Sequence, residues 1–219
     1  WKNTNTPTMI KQRILYQDSE IVILNKPGGL LSVPGLYDKD SAFGRLQALL
    51  GELHIVHRLD RDTSGIIVYA RNKPALTCIQ QQFEKQTTRK VYEALVSGEP
   101  KGSGGCINLP IIVDWPNRPL QKISHTDGRY ALTRWHKLDV DTDTEGRRTT
   151  RIEMYPKTGR SHQLRLHMQQ IGHPIIGDPF YSANYSEQTT PTMQLHAREL
   201  SFRHPTTDER MDIVSPPPF

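Results

Sequence analysis

At 219 residues, with 28 lysines and arginines against 23 acids and a formal charge of +5, the chain is long enough for one sizeable core or two closely joined lobes. A pI of about 9.2 permits a polyanionic partner without requiring one. The two cysteines, Cys78 and Cys106, are too far apart to suggest a disulfide framework or a zinc ribbon, and no apolar stretch approaches the roughly 18 to 20 residues that cross a bilayer, so a soluble, cytoplasmic protein is expected.

In chain order, residues 1–13 are polar and aperiodic and read as a tail. Ile14-Leu15-Tyr16 and Ile21-Val22-Ile23-Leu24 flank turn residues 17–20, the pattern of a short hairpin. Asn25 to Gly35 is dense in glycine and proline and forms a loop, with Lys26 at a strand end, either in a solvated connector or reaching into a cleft. Ser41 is a plausible N-cap for a helix to Leu50 that turns Phe43, Leu46, Leu49 and Leu50 toward the core. His57-Arg58-Leu59-Asp60-Arg61-Asp62-Thr63-Ser64-Gly65 then leads into the strand-like run Ile66 to Ala70, which sets a carboxylate among arginines at the mouth of a sheet.

Pro74 to Phe83 reads as a helix, the proline tolerated in its first turn. Arg89 to Gly98 alternates as a strand, with Tyr92, Ala94 and Val96 on one face. Tyr92 suits either a core position or, beside Arg89 and Lys90, a ring-plus-phosphate contact to a nucleobase. Gly102 to Gly105 is a flexible connector before Ile107 to Val113, and Asp114 to Lys122 is a loop, aromatic and basic, that suits a surface cap or an RNA-contacting arm. Residues 130–140 and 149–155 pair as strands around the turn 141–148. Pro156 to Ser161 opens a helix to Ile171 whose first turn, with Gly159, Arg160 and Ser161, favours an anion, and His162 and Arg165 point to one side of it. After the loop 172–181, Leu195-His196-Ala197 leads a strand through Phe202, and Met211 to Val214 closes the chain. The reading is a strand-rich mixed α/β (α+β) protein.

Several chemistries fail on spacing. Asp60, Asp62, Ser64 and Gly65 match the opening of a calcium loop, but its twelfth position is Arg71 where a glutamate is needed. The nine histidines include no His-Glu-x-x-His, and His162 and His167 are five apart, off one helical face, so no metal is expected. There is no Gly-x-Ser-x-Gly elbow and no glycine loop with lysine for phosphate. What remains is Asp60 among arginines, suited to act as nucleophile or base.

His57-Arg58-Leu59-Asp60-x-x-Thr63-Ser64-Gly65, with Asn25-Lys26-Pro27-x-Gly29-Leu30 before it and Gly159-Arg160-x-His162-Gln163-Leu164-Arg165-x-His167-Met168 and Gly172-His173-Pro174-Ile175-x-Gly177-Asp178 after it, resembles the RluA-type pseudouridine synthases from about Ile14 onward. Val33-Pro34-Gly35 and Asp114-Trp115-Pro116-Asn117-Arg118-Pro119 make it similar to the short subgroup that modifies 23S ribosomal RNA and the anticodon stem-loop of certain tRNAs. The resemblance implies a single catalytic domain over residues 14–219, without an S4-type RNA-binding module. Its fold would be a mixed, mostly antiparallel sheet in two lobes flanking a cleft, with helices packed on the sheet.

The implied reaction converts uridine in RNA to pseudouridine without metal or cofactor, in a monomer with no obligate protein partner. Asp60 is the expected catalytic aspartate, attacking the uracil ring or the anomeric carbon or abstracting a sugar proton. On the resemblance, Tyr92 is expected to be catalytic, stacking on the base and assisting proton removal at C5, while Arg165 pairs with the aspartate, Leu195 lines the pocket and Arg58 fills the gap left by a flipped uridine. Lys26, Arg160, Arg89 and Lys90 are expected to contact phosphates, with His57 and His162 among the RNA-binding residues. Two rival readings are a non-catalytic RNA chaperone using the same basic cleft and a metal-dependent phosphodiesterase built on Asp60 and Asp62.

Overall fold

The structure, a computed structural model, describes residues 7–142, 144, 146–182 and 192–219. Its elements are α1 (Pro7–Lys11), β1 (Ile14–Gln17), β2 (Ile21–Lys26), α2 (Ala42–Leu50), β3 (His54–Ile55), β4 (Ser64–Ala70), α3 (Lys73–Glu84) and β5 (Arg89–Ser97). They continue with β6 (Gly104–Asn108), β7 (Ile111–Val113), a 3-10 turn (Trp115–Asn117), β8 (Gln121–Ile123), β9 (Leu132–Thr142), β10 (Arg148–Pro156), α4 (Gln163–Gln170), β11 (Leu195–Arg203) and β12 (Arg210–Val214). The expected mixed α+β, mostly antiparallel architecture is what is found. Among the described residues no helix is long and apolar enough to cross a membrane.

The chain divides into two compact units, one of Trp1–Arg89 with Ala197–Pro218, the other of Lys90–His196 with Phe219. In the first, β2 is flanked antiparallel by β1 and β4, β3 adds to β4, and β11 neighbours β4 and pairs antiparallel with β12. All seven positions of β4 are buried, so both faces of the strand are covered as well as both edges paired. Ile21, Ile23, Ile66, Val68, Ile79, Leu200 and Phe202 form the core under α3. Gly65 sits at φ +112°, and a Cβ there would collide with the backbone of Ala197, so only glycine lets β4 and β11 approach this closely.

The helices of this unit start where their caps stop the backbone donors from being wasted. Ser41 accepts from the Gly44 N–H at 3.1 Å, and Asn72 from the Ala75 N–H at 2.9 Å. In α2 the buried side chains are Ala42 and Leu46, while Leu49 is exposed, so the core face is narrower than the leucine spacing suggests. Of the expected tail, residues 1–6 lie outside the described residues, and Pro7–Lys11 is a short helix with Ile10 buried.

The second unit is a sheet in the order β5-β10-β9-β6, antiparallel throughout, with a separate β7–β8 ribbon. Ala94, Val96, Ile152, Met154, Leu164, Met168 and Leu195 belong to its main core, against which Tyr92 packs. The expected continuous stretch 107–113 is broken at Leu109-Pro110 into β6 and β7, and part of the expected 114–122 loop is the strand β8. Asp143 and Glu145, within the expected turn, lie outside the described residues.

Candidate active site

In the first unit Asp60 stands on a segment fastened at several points. Ser32 Oγ accepts from the Leu59 N–H at 3.0 Å and donates to the Leu59 carbonyl at 2.7 Å, while the Tyr69 hydroxyl donates to the Ser32 carbonyl at 2.8 Å. Arg61 Nε donates to the Gly29 carbonyl at 3.2 Å, and a Cβ on Gly28 would stand 3.1 Å from the Asp62 carbonyl. The glycine-rich loop after β2 therefore lies directly over the residues that follow Asp60. Asp60 is half-buried, and Arg58 and Arg61 beside it are exposed.

Lys26 departs from its expected role. It is fully buried, and its ammonium donates to the carbonyls of Pro27, Leu30 and Arg61 at 2.9, 2.7 and 2.9 Å. Burial pulls it down to about 7, opposed by the negative charges of Asp62 and Asp60, which favour its charged form. Three carbonyls match the three N–H bonds of an ammonium, so Lys26 ties the loop to Arg61 and is not a phosphate contact.

His57 has a structural tie as well. Its Nε2 accepts from the Val68 N–H at 3.2 Å and its ring stacks on Phe83 at 4.7 Å, which fastens it to β4 and α3. Arg89 is exposed, 3.5 Å from Glu199.

In the second unit Tyr92 lies on β5 opposite Met154, half-buried, in the same apolar cluster as Leu195. Leu195 is buried in that core. Lys90 is half-buried on the strand; burial lowers its pKa first, and the charge of Lys157 lowers it further.

The residues before α4 do not form its first turn. The helix begins at Gln163, and His162 precedes it at φ +54°. Gln163 holds this turn: its Oε1 accepts from Thr158 Oγ1 at 2.7 Å and from the Arg160 N–H at 3.1 Å, and its Nε2 donates to the Leu132 carbonyl at 3.1 Å. The Arg160 amide is thus used internally and is not one of the open amides expected there. The Arg160 side chain is exposed, with Nε 3.1 Å from the Tyr130 carbonyl.

Arg165 and His162 reach the same two rings, Phe180 and Tyr181, in the segment after β-bridge residue Ile175. Asp178 receives Arg165 Nε at 2.8 Å and Nη2 at 2.7 Å, and the guanidinium lies 5.2 Å from the Phe180 ring and 5.4 Å from the Tyr181 ring. His162 stacks on Phe180 at 5.7 Å, and its Nδ1 is 2.9 Å from the Tyr181 hydroxyl, which also accepts the Gln121 N–H at 2.9 Å. Asp178 and the two rings are the residues that sequence reasoning missed. The available signal was Gly177-Asp178-Pro179, a buried-acid candidate inside a turn motif.

The comparisons with known proteins agree with one another. A family profile described as RNA pseudouridylate synthase matches residues 20–170. The chain is 43% identical over 215 residues to a dual-specificity RNA pseudouridine synthase RluA of Vibrio vulnificus, covering 97% of this chain and 86% of the relative. It is 42% identical over 220 residues to the protein of that name from Escherichia coli K12, covering 100% and 99%. Among solved structures, human RNA pseudouridylate synthase domain containing 1 superposes with a TM-score of 0.79 at 27% identity, covering 94% of this chain and 83% of that one. The human domain-containing 4 protein gives 0.75 at 25%, covering 97% and 91%. From Ile14 onward the motifs, the antiparallel architecture and the near-complete coverage point one way: this chain belongs to the RNA pseudouridylate synthase family, among its RluA-type members.

Proposed function

We propose that this chain isomerises uridines of 23S ribosomal RNA and of tRNA anticodon stem-loops to pseudouridine, with Asp60 as the catalytic carboxylate. The observation that carries the reading is the identity of 42% to a dual-specificity synthase along the full length of the chain. The fastened Asp60 segment supports it, because a group that must meet a reacting atom gains from being held before the substrate arrives. A base inside folded RNA cannot be detached and rotated in place, so it is first flipped out, at about a few kcal/mol of unstacking.

Tyr92 then replaces part of the lost stacking, worth roughly 1 to 3 kcal/mol per base. Leu195 closes the apolar wall, and Arg58 fills the place the uridine left. Arg165 supplies the positive charge for the reacting aspartate and its substrate. Phosphate contacts fall to Arg160, Arg89 and Lys90, His162 is a further RNA-binding residue, and the protein works as a cytoplasmic monomer. The chaperone reading gains no support from relatives that are named as synthases.

The test is Asp60→Asn, which keeps the shape of the side chain but cannot act as nucleophile or base. Incubated with unmodified 23S rRNA and tRNA transcripts, the wild-type chain forms pseudouridine. The variant is expected to bind the transcripts and form none; full turnover by Asp60→Asn refutes the proposal.

A further inference from the structure

We propose that Asp178 is a positioning residue for Arg165, and that the segment from Gly177 to Tyr181 exists to fix where that arginine's charge stands. The proposal rests on the function proposed above. Asp178 and Arg165 face each other through two parallel bonds, Nε to Oδ2 at 2.8 Å and Nη2 to Oδ1 at 2.7 Å, with side chains 0% and 2% exposed. Burying two charges costs more than packing apolar groups of similar size, so stability alone does not account for such a pair. The bidentate geometry removes rotation of the guanidinium plane.

Asp178 is itself immobilised. Its Oδ1 also accepts the backbone N–H groups of Phe180 at 2.9 Å and Tyr181 at 3.2 Å, closing a turn that carries both rings. Those rings then flank the guanidinium at 5.2 and 5.4 Å, and the Tyr181 hydroxyl joins the assembly to His162 and to the β8 backbone at Gln121. Arg165 is therefore held by a carboxylate in its plane and by two aromatic rings. Asp178 thus sets the orientation of the guanidinium, and the arginine's charge serves the reaction proposed above.

The experiment uses the full chain with a transcript that the wild type converts, and measures single-turnover rate and transcript affinity separately. Asp178→Asn keeps the turn acceptor but halves the grip on Arg165; Asp178→Glu keeps the charge but shifts it by one methylene. Each is expected to lower the single-turnover rate by roughly 100-fold, the scale of a 1 Å misplacement, with affinity changed less than about 3-fold. In the Arg165→Met background Asp178→Asn is expected to cost nothing further, because Asp178 acts only through the arginine. A wild-type rate in either folded variant, an additive loss in the double variant, or failure of both single variants to fold overturns the proposal. Asp60→Asn run alongside separates the two ideas: if it is inactive while Asp178→Asn is unimpaired, only the positioning role falls, and if it is active the functional reading falls.

Discussion

Replacing Gly65 with alanine tests the close approach of β4 and β11. The backbone at φ +112° lies in the half of conformational space that L side chains avoid, a strain of about 1 to 3 kcal/mol. The new methyl also meets the backbone of Ala197, which cannot swing aside as a side chain would, adding about 1 to 3 kcal/mol of overpacking. The sum, ~2 to 6 kcal/mol, is a large part of a typical domain stability of about 5 to 15 kcal/mol.

Tryptophan fluorescence is a poor assay, since two of the three tryptophans, Trp115 and Trp135, lie in the other unit and Trp1 lies outside the described residues. Amide hydrogen exchange of peptides covering β4 and β11 reads the right region. At about 1.4 kcal/mol per factor of ten, exchange there is expected to accelerate roughly 30-fold or more. Gly51→Ala is the control: that glycine also has a positive φ, +83°, but nothing lies within 4 Å of its added Cβ, so it should cost the backbone strain alone. Exchange in Gly65→Ala within about 3-fold of wild type, in a folded protein, would refute the steric argument.

Two further expectations concern buried ionisable groups. Lys26→Met removes the donor from three carbonyls, of which the one at Leu30 is buried, and is expected to destabilise by about 1 to 3 kcal/mol in urea melts and to lower kcat with KM little changed; an unaltered kcat would show that the Asp60 segment does not need this tie. His167 is held neutral, its pKa lowered by burial and partly restored by the Leu109 carbonyl at 3.0 Å. Below pH 6.5 the unfolded chain therefore binds more protons than the folded one, and stability falls as pH drops from 6.5 through the lower folded value. His167→Gln should flatten that acid limb in melts from pH 5 to pH 7, and an unchanged limb would assign it to other groups.

What could be read from the chain beforehand was whatever depends on near neighbours. The Ser41 cap, the hairpin β1–β2, the strand β5 and the motif around Asp60 all follow from residues within a few positions of one another. Lys26 was misread because its polarity is visible and its surroundings are not: the Arg61 carbonyl it holds is brought there by the register of β2 with β4, where Lys26 stands opposite Gly65. The ties of His57 are illegible for the same reason, its partners Val68 and Phe83 arriving from a strand and a helix further along. The start of α4 was placed too early because apolar periodicity does not report that His162 takes φ +54°. Asp178 went unassigned because an acid beside a proline looks like a turn residue until the arginine facing it is seen.

The division of the chain sets an order of events during synthesis. β4, buried at every position, leaves the ribosome more than a hundred residues before the strand that lies beside it, and the unit formed by Lys90–His196 emerges in between. At about 5 to 20 residues per second, the part of that apolar edge that β3 does not pair with waits for at least several seconds without its neighbour. Such an edge can recruit strands from other nascent chains, so the yield of this protein should respond to translation speed and to holdase chaperones more than its size alone would suggest. The glycine that admits β11 against β4 thus also decides whether that exposure ends once β11 is made.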